Sequence, residues 1–292
     1  MEEEVNITEI IINSINTIFQ TIFSSIDNNL YSIIDEITFI NTDILNTSYF
    51  RSIFGTSTTN GILLIANSLV LGFFLYYCFK LLLSNLLITQ TERPVSFIFK
   101  LLIFCICMNS SIFICEQLIF ITSSISSAIR ELGNNLFGST ICFSTLVDKL
   151  NMMIQIEENS FTIFSIDGLL KSIISIGFLN LTFSYSLRYI MIKVFVLISP
   201  FAFLSLSVNS TSSFFKAWIK CFLSLLFIQI LVSFVLLIIF SIDFSSNNIF
   251  SKFLICGSIF ALLKANSYVK EFMGGISTDI SNSFNGMKSF IK

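Results

Sequence analysis

Histidine is missing from all 292 residues, charged residues make up only 12%, and proline occurs twice. Without imidazole the chain has no ordinary proton shuttle near neutral pH and no His-ligated metal centre, so most hydrolytic and metal-dependent chemistry is excluded. Soluble domains carry roughly 25% charged residues. Half that value, with 54% hydrophobic residues, 35 phenylalanines and a mean hydropathy of +0.87, is a composition solvated by lipid. Enzyme signatures are missing too: the sequence has no GxSxG, no HExxH and no Walker-type Lys-Ser/Thr directly after Gly274-Gly275. The seven cysteines mostly lie inside apolar stretches and read as small hydrophobes, with no CxxC and no disulfide framework. No cofactor or metal is expected.

What is present is a series of apolar stretches on the scale of a bilayer. About 20 helical residues cover a hydrocarbon core of roughly 30 Å. Spans are predicted at about 61–83, 95–121, 168–208, 218–242 and 249–269. The third is too long for one crossing, and Pro200 lacks an amide hydrogen, so a break or kink is expected there. Residues 1–60 place Ile11, Ile15, Ile18, Ile22 and Ile26 at helical spacing among polar residues, which predicts an amphipathic helical region on a surface. Residues 122–167 read as a polar outer loop holding one or two short helices, and 271–292 as a polar tail. The predicted fold is therefore an all-α, polytopic helical bundle with about five transmembrane helices; six remain possible if 168–208 holds two.

Charge orients the spans. The first 51 residues carry eight carboxylates against Arg51 alone, although the whole chain is only −2. The acidic Met1-Glu2-Glu3-Glu4 start is the opposite of a basic signal-peptide n-region, so no cleavable signal is expected. An outer N-terminus places Lys80, Arg93 and Lys100 inside, the 122–167 loop outside, and Arg188, Lys193, Lys216 and Lys220 at the inner face. The tail with Lys264, Lys270, Lys288 and Lys292 is then also inside. Five crossings satisfy the positive-inside rule at every loop, whereas six would put the basic tail outside.

Arg188, Lys193 and Pro200, followed by Lys216-Ala217-Trp218-Ile219-Lys220 and the polar Gln229, resemble the TrbL-like membrane proteins of conjugative type IV secretion systems. The closest resemblance is to those of integrative and conjugative elements of Firmicutes and mycoplasmas. The stretch from Leu263 and Lys264 through Gly274 and Gly275 to Thr278 is similar to that subgroup's C-terminal signature. The resemblance extends to layout over nearly the whole chain and is sharp over about 188–229 and 262–280. It implies a homo-oligomeric channel or scaffold subunit in the bacterial cytoplasmic membrane. The implied partners are other type IV secretion subunits including the secretion ATPase, with transient contact to transferred single-stranded DNA. The competing class is a small-molecule transporter or permease subunit.

Single residues carry narrower expectations. Glu116 and Lys171 fall at similar predicted depth and either pair within the membrane, line a pore, or reach the headgroups. Arg188 and Lys193 are expected to anchor the inner end of the third span against lipid phosphates or, on the resemblance, transiting DNA. Trp218, flanked by Lys216 and Lys220, reads as an interfacial anchor. Lys264 interrupts the last span, and Gly274-Gly275 suits a turn with positive φ.

Overall fold

The structure is a computed structural model. It describes residues 7–55, 60–87, 93–154, 165–208, 211–244 and 249–273. Among these the chain is all-α: α1 Ile7–Thr38, a 3-10 turn Thr42–Leu45, α2 Ser48–Phe54, α3 Ile62–Leu87, α4 Pro94–Asn109, α5 Ser111–Phe137, α6 Phe143–Ile154, α7 Ile166–Ser205, α8 Ser212–Phe240 and α9 Ile249–Met273. Five helices are long and apolar enough to cross a membrane, namely α3 over Ile62–Leu83, α5, α7, α8 and α9 over Ile249–Val269. Their outward faces are apolar. On α7, for example, Leu169, Ile173, Ile176, Phe183, Leu187, Ile190 and Val194 form one exposed stripe at helical spacing.

α7 is the spine. Its 40 residues would extend about 60 Å as a straight helix. α8 returns antiparallel along it, and α5 runs beside α8, tied by the Ser126–Ser233 hydroxyl pair at 2.7 Å. Two apolar cores share α7 end to end. The first joins its Leu170–Tyr185 half to α6, α9 and the second half of α8. The second joins its Ile192–Leu204 half to the first half of α8, the start of α5, Met108 of α4 and the Ile40–Phe50 segment.

Several boundaries differ from the sequence expectation. The stretch expected as one span over 95–121 is two helices broken at Ser110, which sits at φ −92°, ψ 8°. The break falls on the polar triplet Asn109-Ser110-Ser111, where the Asn109 amide exchanges hydrogen bonds with Asn67 of α3 at 3.1 and 3.2 Å. At 16 residues, or about 24 Å, α4 alone is short of a crossing. Residues 122–137, expected in an outer loop, continue α5 as a spanning-length helix. α6, from the same expected loop, buries Phe143, Leu146, Val147 and Leu150 in the first core.

No break occurs at Pro200: α7 continues to Ser205. Proline at 200 leaves the Val196 carbonyl without its i+4 amide donor. The Ser199 hydroxyl donates to that carbonyl instead, at 2.7 Å, and the Trp218 indole N–H donates to the neighbouring Phe195 carbonyl at 2.9 Å. Trp218 is accordingly not an interfacial anchor. It is 3% exposed, stacked on Phe222 at 5.4 Å between ring centroids, with Lys216 and Lys220 on the exposed side of the same helix.

The N-terminal region is also more integrated than a surface helix. α1 packs along α7 and α6, and Ile34 and Thr38 in its last turns are fully buried. After Thr38 the chain turns inward. Asn41 caps the 3-10 turn through the Asp43 amide at 3.0 Å, and Ile40, Ile44 and Leu45 enter the second core.

Candidate functional site: a buried arginine layer

Where the two cores meet, apolar packing is interrupted by Arg188 and Gln229, both 0% exposed. Arg188 lies near the middle of α7 and aims its guanidinium at α8 and at the end of α1. Nε donates to the Leu225 carbonyl at 2.9 Å, Nη1 to the Thr38 carbonyl at 3.1 Å and Nη2 to Gln229 Oε1 at 3.1 Å. Gln229 Oε1 also accepts from the Ile40 amide at 3.2 Å. Because that oxygen stands between two donors, the amide cannot be turned over, and its Nε2 is left as a buried donor without a partner.

Among the described residues no carboxylate pairs with Arg188. Its compensation is dipolar. Thr38 is the last residue of α1, so its carbonyl is one of the unpaired acceptors at the negative end of that helix. An arginine fits this role because its planar fork reaches three acceptors from three segments with one side chain. The same α1 end is fixed a turn earlier by Asp35. Its carboxylate accepts from the Phe143 amide at 2.7 Å and from the Ser144 amide and hydroxyl at 3.1 and 3.0 Å, capping α6. The Arg130 guanidinium lies 3.9 Å over the ring of Phe39, the residue after Thr38. Outside the segment is a cleft of about 420 Å³ lined by Glu36, Phe39, Ile40, Asn41, Asp43, Ile44, Thr47 and Tyr189.

Of the residues singled out in the sequence, the structure brings Arg188 and Gln229 into direct contact. One step further along α7 the Trp218 indole reaches the Phe195 carbonyl, next to the Val196 carbonyl that Pro200 leaves to the Ser199 hydroxyl. Arg188 is therefore not a headgroup anchor, because it is enclosed by protein. Lys193 is half-buried over the Tyr189 ring at 4.9 Å, while Lys220 and Lys264 are exposed. Glu116 and Lys171 do not pair with each other: Glu116 meets Arg51 of α2 at 3.1 Å, and buried Lys171 donates to Asn151 of α6 at 2.5 Å. A second ion pair, Lys252 with Asp167 at 2.7 Å, ties the starts of α9 and α7. Gly274 and Gly275 lie outside the described residues.

Sequence reasoning missed Thr38, Ile40 and Asp35. The available signal was the Asn41-Thr42-Asp43 turn chemistry, which ends the helical pattern just after an acidic pair, Asp35 and Glu36. No group of three or more Cys, Asp or Glu side chains suited to a metal ion occurs among the described residues. No protein-family model, curated protein or solved structure matches the chain at the significance required.

Proposed function

We propose that this chain is a non-catalytic, multi-pass channel or scaffold subunit of a conjugative DNA-transfer apparatus of the type IV secretion kind. In this reading it sits in a bacterial cytoplasmic membrane as a homo-oligomer, N-terminus outside and C-terminus inside, beside the secretion ATPase. The observation that carries the reading is the convergence of the residues behind the TrbL-like resemblance. Arg188 and Gln229, 41 positions apart, share one buried hydrogen bond, and Trp218 donates to the Phe195 carbonyl, next to the Val196 carbonyl that Pro200 leaves without an amide donor. Residues that carry the pattern thus form one continuous structural unit along α7 and α8. Charges and amides buried at this depth are costly and are retained where assembly or function requires them.

The test is deletion and complementation in the native host, with conjugal transfer frequency as readout, together with affinity purification of a tagged chain from membranes. Loss of transfer restored by the intact gene, with recovery of the secretion ATPase and the coupling protein, is the expected result. Normal transfer with a growth defect tied to one nutrient would instead identify a permease subunit. Maleimide labelling of a tail cysteine in intact cells checks the orientation, since labelling from outside contradicts an inner C-terminus.

A further inference from the structure

We infer that residues 38–47 form a displaceable plug latched by Arg188, a conformational device that holds whether or not the chain serves DNA transfer. Three features argue for it. The segment enters the second core without being a long helix: the chain leaves α1 at Thr38, passes through the 3-10 turn and inserts Ile40, Ile44 and Leu45 beside α5, α7 and α8. Its polar ties to the spanning helices are few and concentrated, with the Thr38 carbonyl on Arg188 Nη1 and the Ile40 amide on Gln229 Oε1. Finally, its outer flank borders the 420 Å³ cleft, which leaves room for outward movement.

The latch is suited to release because it is made of dipoles. Withdrawing a carboxylate from Arg188 would leave a bare buried cation, and that strongly opposes opening. Withdrawing the Thr38 carbonyl removes one neutral acceptor, and water entering from the cleft replaces it at modest cost. Asp35 on the α6 amides and Arg51 on Glu116 stand on either side of the segment, so both of its ends stay tethered while the middle moves. In the open state the guanidinium of Arg188 faces water between the two apolar cores.

Hydrogen exchange of the full chain in lipid nanodiscs, read by mass spectrometry on peptides covering 38–47 and 222–236, tests this directly. In the wild type the plug amides are protected relative to an unstructured peptide, yet exchange at least 100-fold faster than the core of α8, the signature of local opening. Arg188→Gln or Gln229→Leu accelerates 38–47 at least tenfold further, because each removes a bond that holds the segment closed. Three results overturn the inference: exchange of 38–47 within tenfold of α8 in the wild type, the absence of any protection in 38–47, or unchanged exchange of 38–47 in both variants. The wild-type comparison stands even if one variant fails to fold.

Discussion

Gln229→Leu is predicted to destabilise the protein more than Arg188→Met, although the arginine is the charged residue. Leucine is close to glutamine in size, so the main loss is the acceptor Oε1. Two buried donors, Arg188 Nη2 at 3.1 Å and the Ile40 amide at 3.2 Å, then have nowhere to turn. At about 1–3 kcal/mol for each unsatisfied buried group, and more for a charged one, the loss is about 3–5 kcal/mol. Arg188→Met removes the cation together with its desolvation cost. Leu225 O keeps the helical bond of α8 and Gln229 keeps Ile40, which leaves chiefly the Thr38 carbonyl unpaired, for about 1–2 kcal/mol. The double variant orphans the Thr38 carbonyl and the Ile40 amide but no charge, so it should cost about 1–2 kcal/mol less than the sum of the singles. A membrane-embedded unfolded state also finds partners for its polar groups, which shrinks the absolute values but preserves their order. The chain has a single tryptophan, Trp218, in the second core, so its fluorescence during SDS titration of dodecylmaltoside micelles reports unfolding. A Gln229→Leu variant as stable as Arg188→Met, or strictly additive losses, would refute the reasoning.

Two further outcomes follow from the packing. Ser199→Ala should cost about 1 kcal/mol in the native background and almost nothing in Pro200→Ala, because alanine at 200 returns the amide donor that Val196 lacks; the same SDS titration checks the difference. Gly133→Val should destabilise by about 1–3 kcal/mol, because a Cβ there meets Ile141 Cδ1 at 2.5 Å and Leu237 Cδ1 at 2.6 Å, whereas Gly72→Val, facing open space, should be neutral.

The number of helices long and apolar enough to cross a membrane, five among the described residues, was legible because hydropathy is summed over some 20 residues and survives local errors. Boundaries were less so, since an apolar run does not record where its packing partner changes. The Val95–Ile121 stretch is apolar on average, and its polar triplet Asn109-Ser110-Ser111 marks a break only because Asn109 finds Asn67 of α3 as a partner and the chain restarts at Ser111. Pro200 predicted a break or kink in isolation, but the carbonyl it leaves without a donor is taken by the hydroxyl of Ser199, and the adjacent Phe195 carbonyl by the indole of Trp218, 18 positions beyond Pro200. Trp218 itself was misread because a lysine-flanked tryptophan suits an interface equally well. What decides is that it shares a face with Phe222, Leu225 and Gln229, while its lysines look away. In α1 the isoleucine periodicity marked the helix over Ile10–Ile22, where Ile10, Ile11, Ile18 and Ile22 are exposed, and concealed the burial of its last turns. Arg188 and Gln229 stood out as polar residues in apolar surroundings. Their third partner, a backbone carbonyl in α1, has no side-chain signature to read.

Because α7 threads both cores, the order of synthesis has a consequence. α1 and α4 find their main partner on α7, whose residues leave the ribosome after residue 165. Until then a nascent chain holds several inserted or waiting segments with few mutual contacts. A ribosome stalled before Ile166 would carry an unassembled and protease-sensitive precursor, and emergence of α8 would convert it cooperatively into the finished bundle.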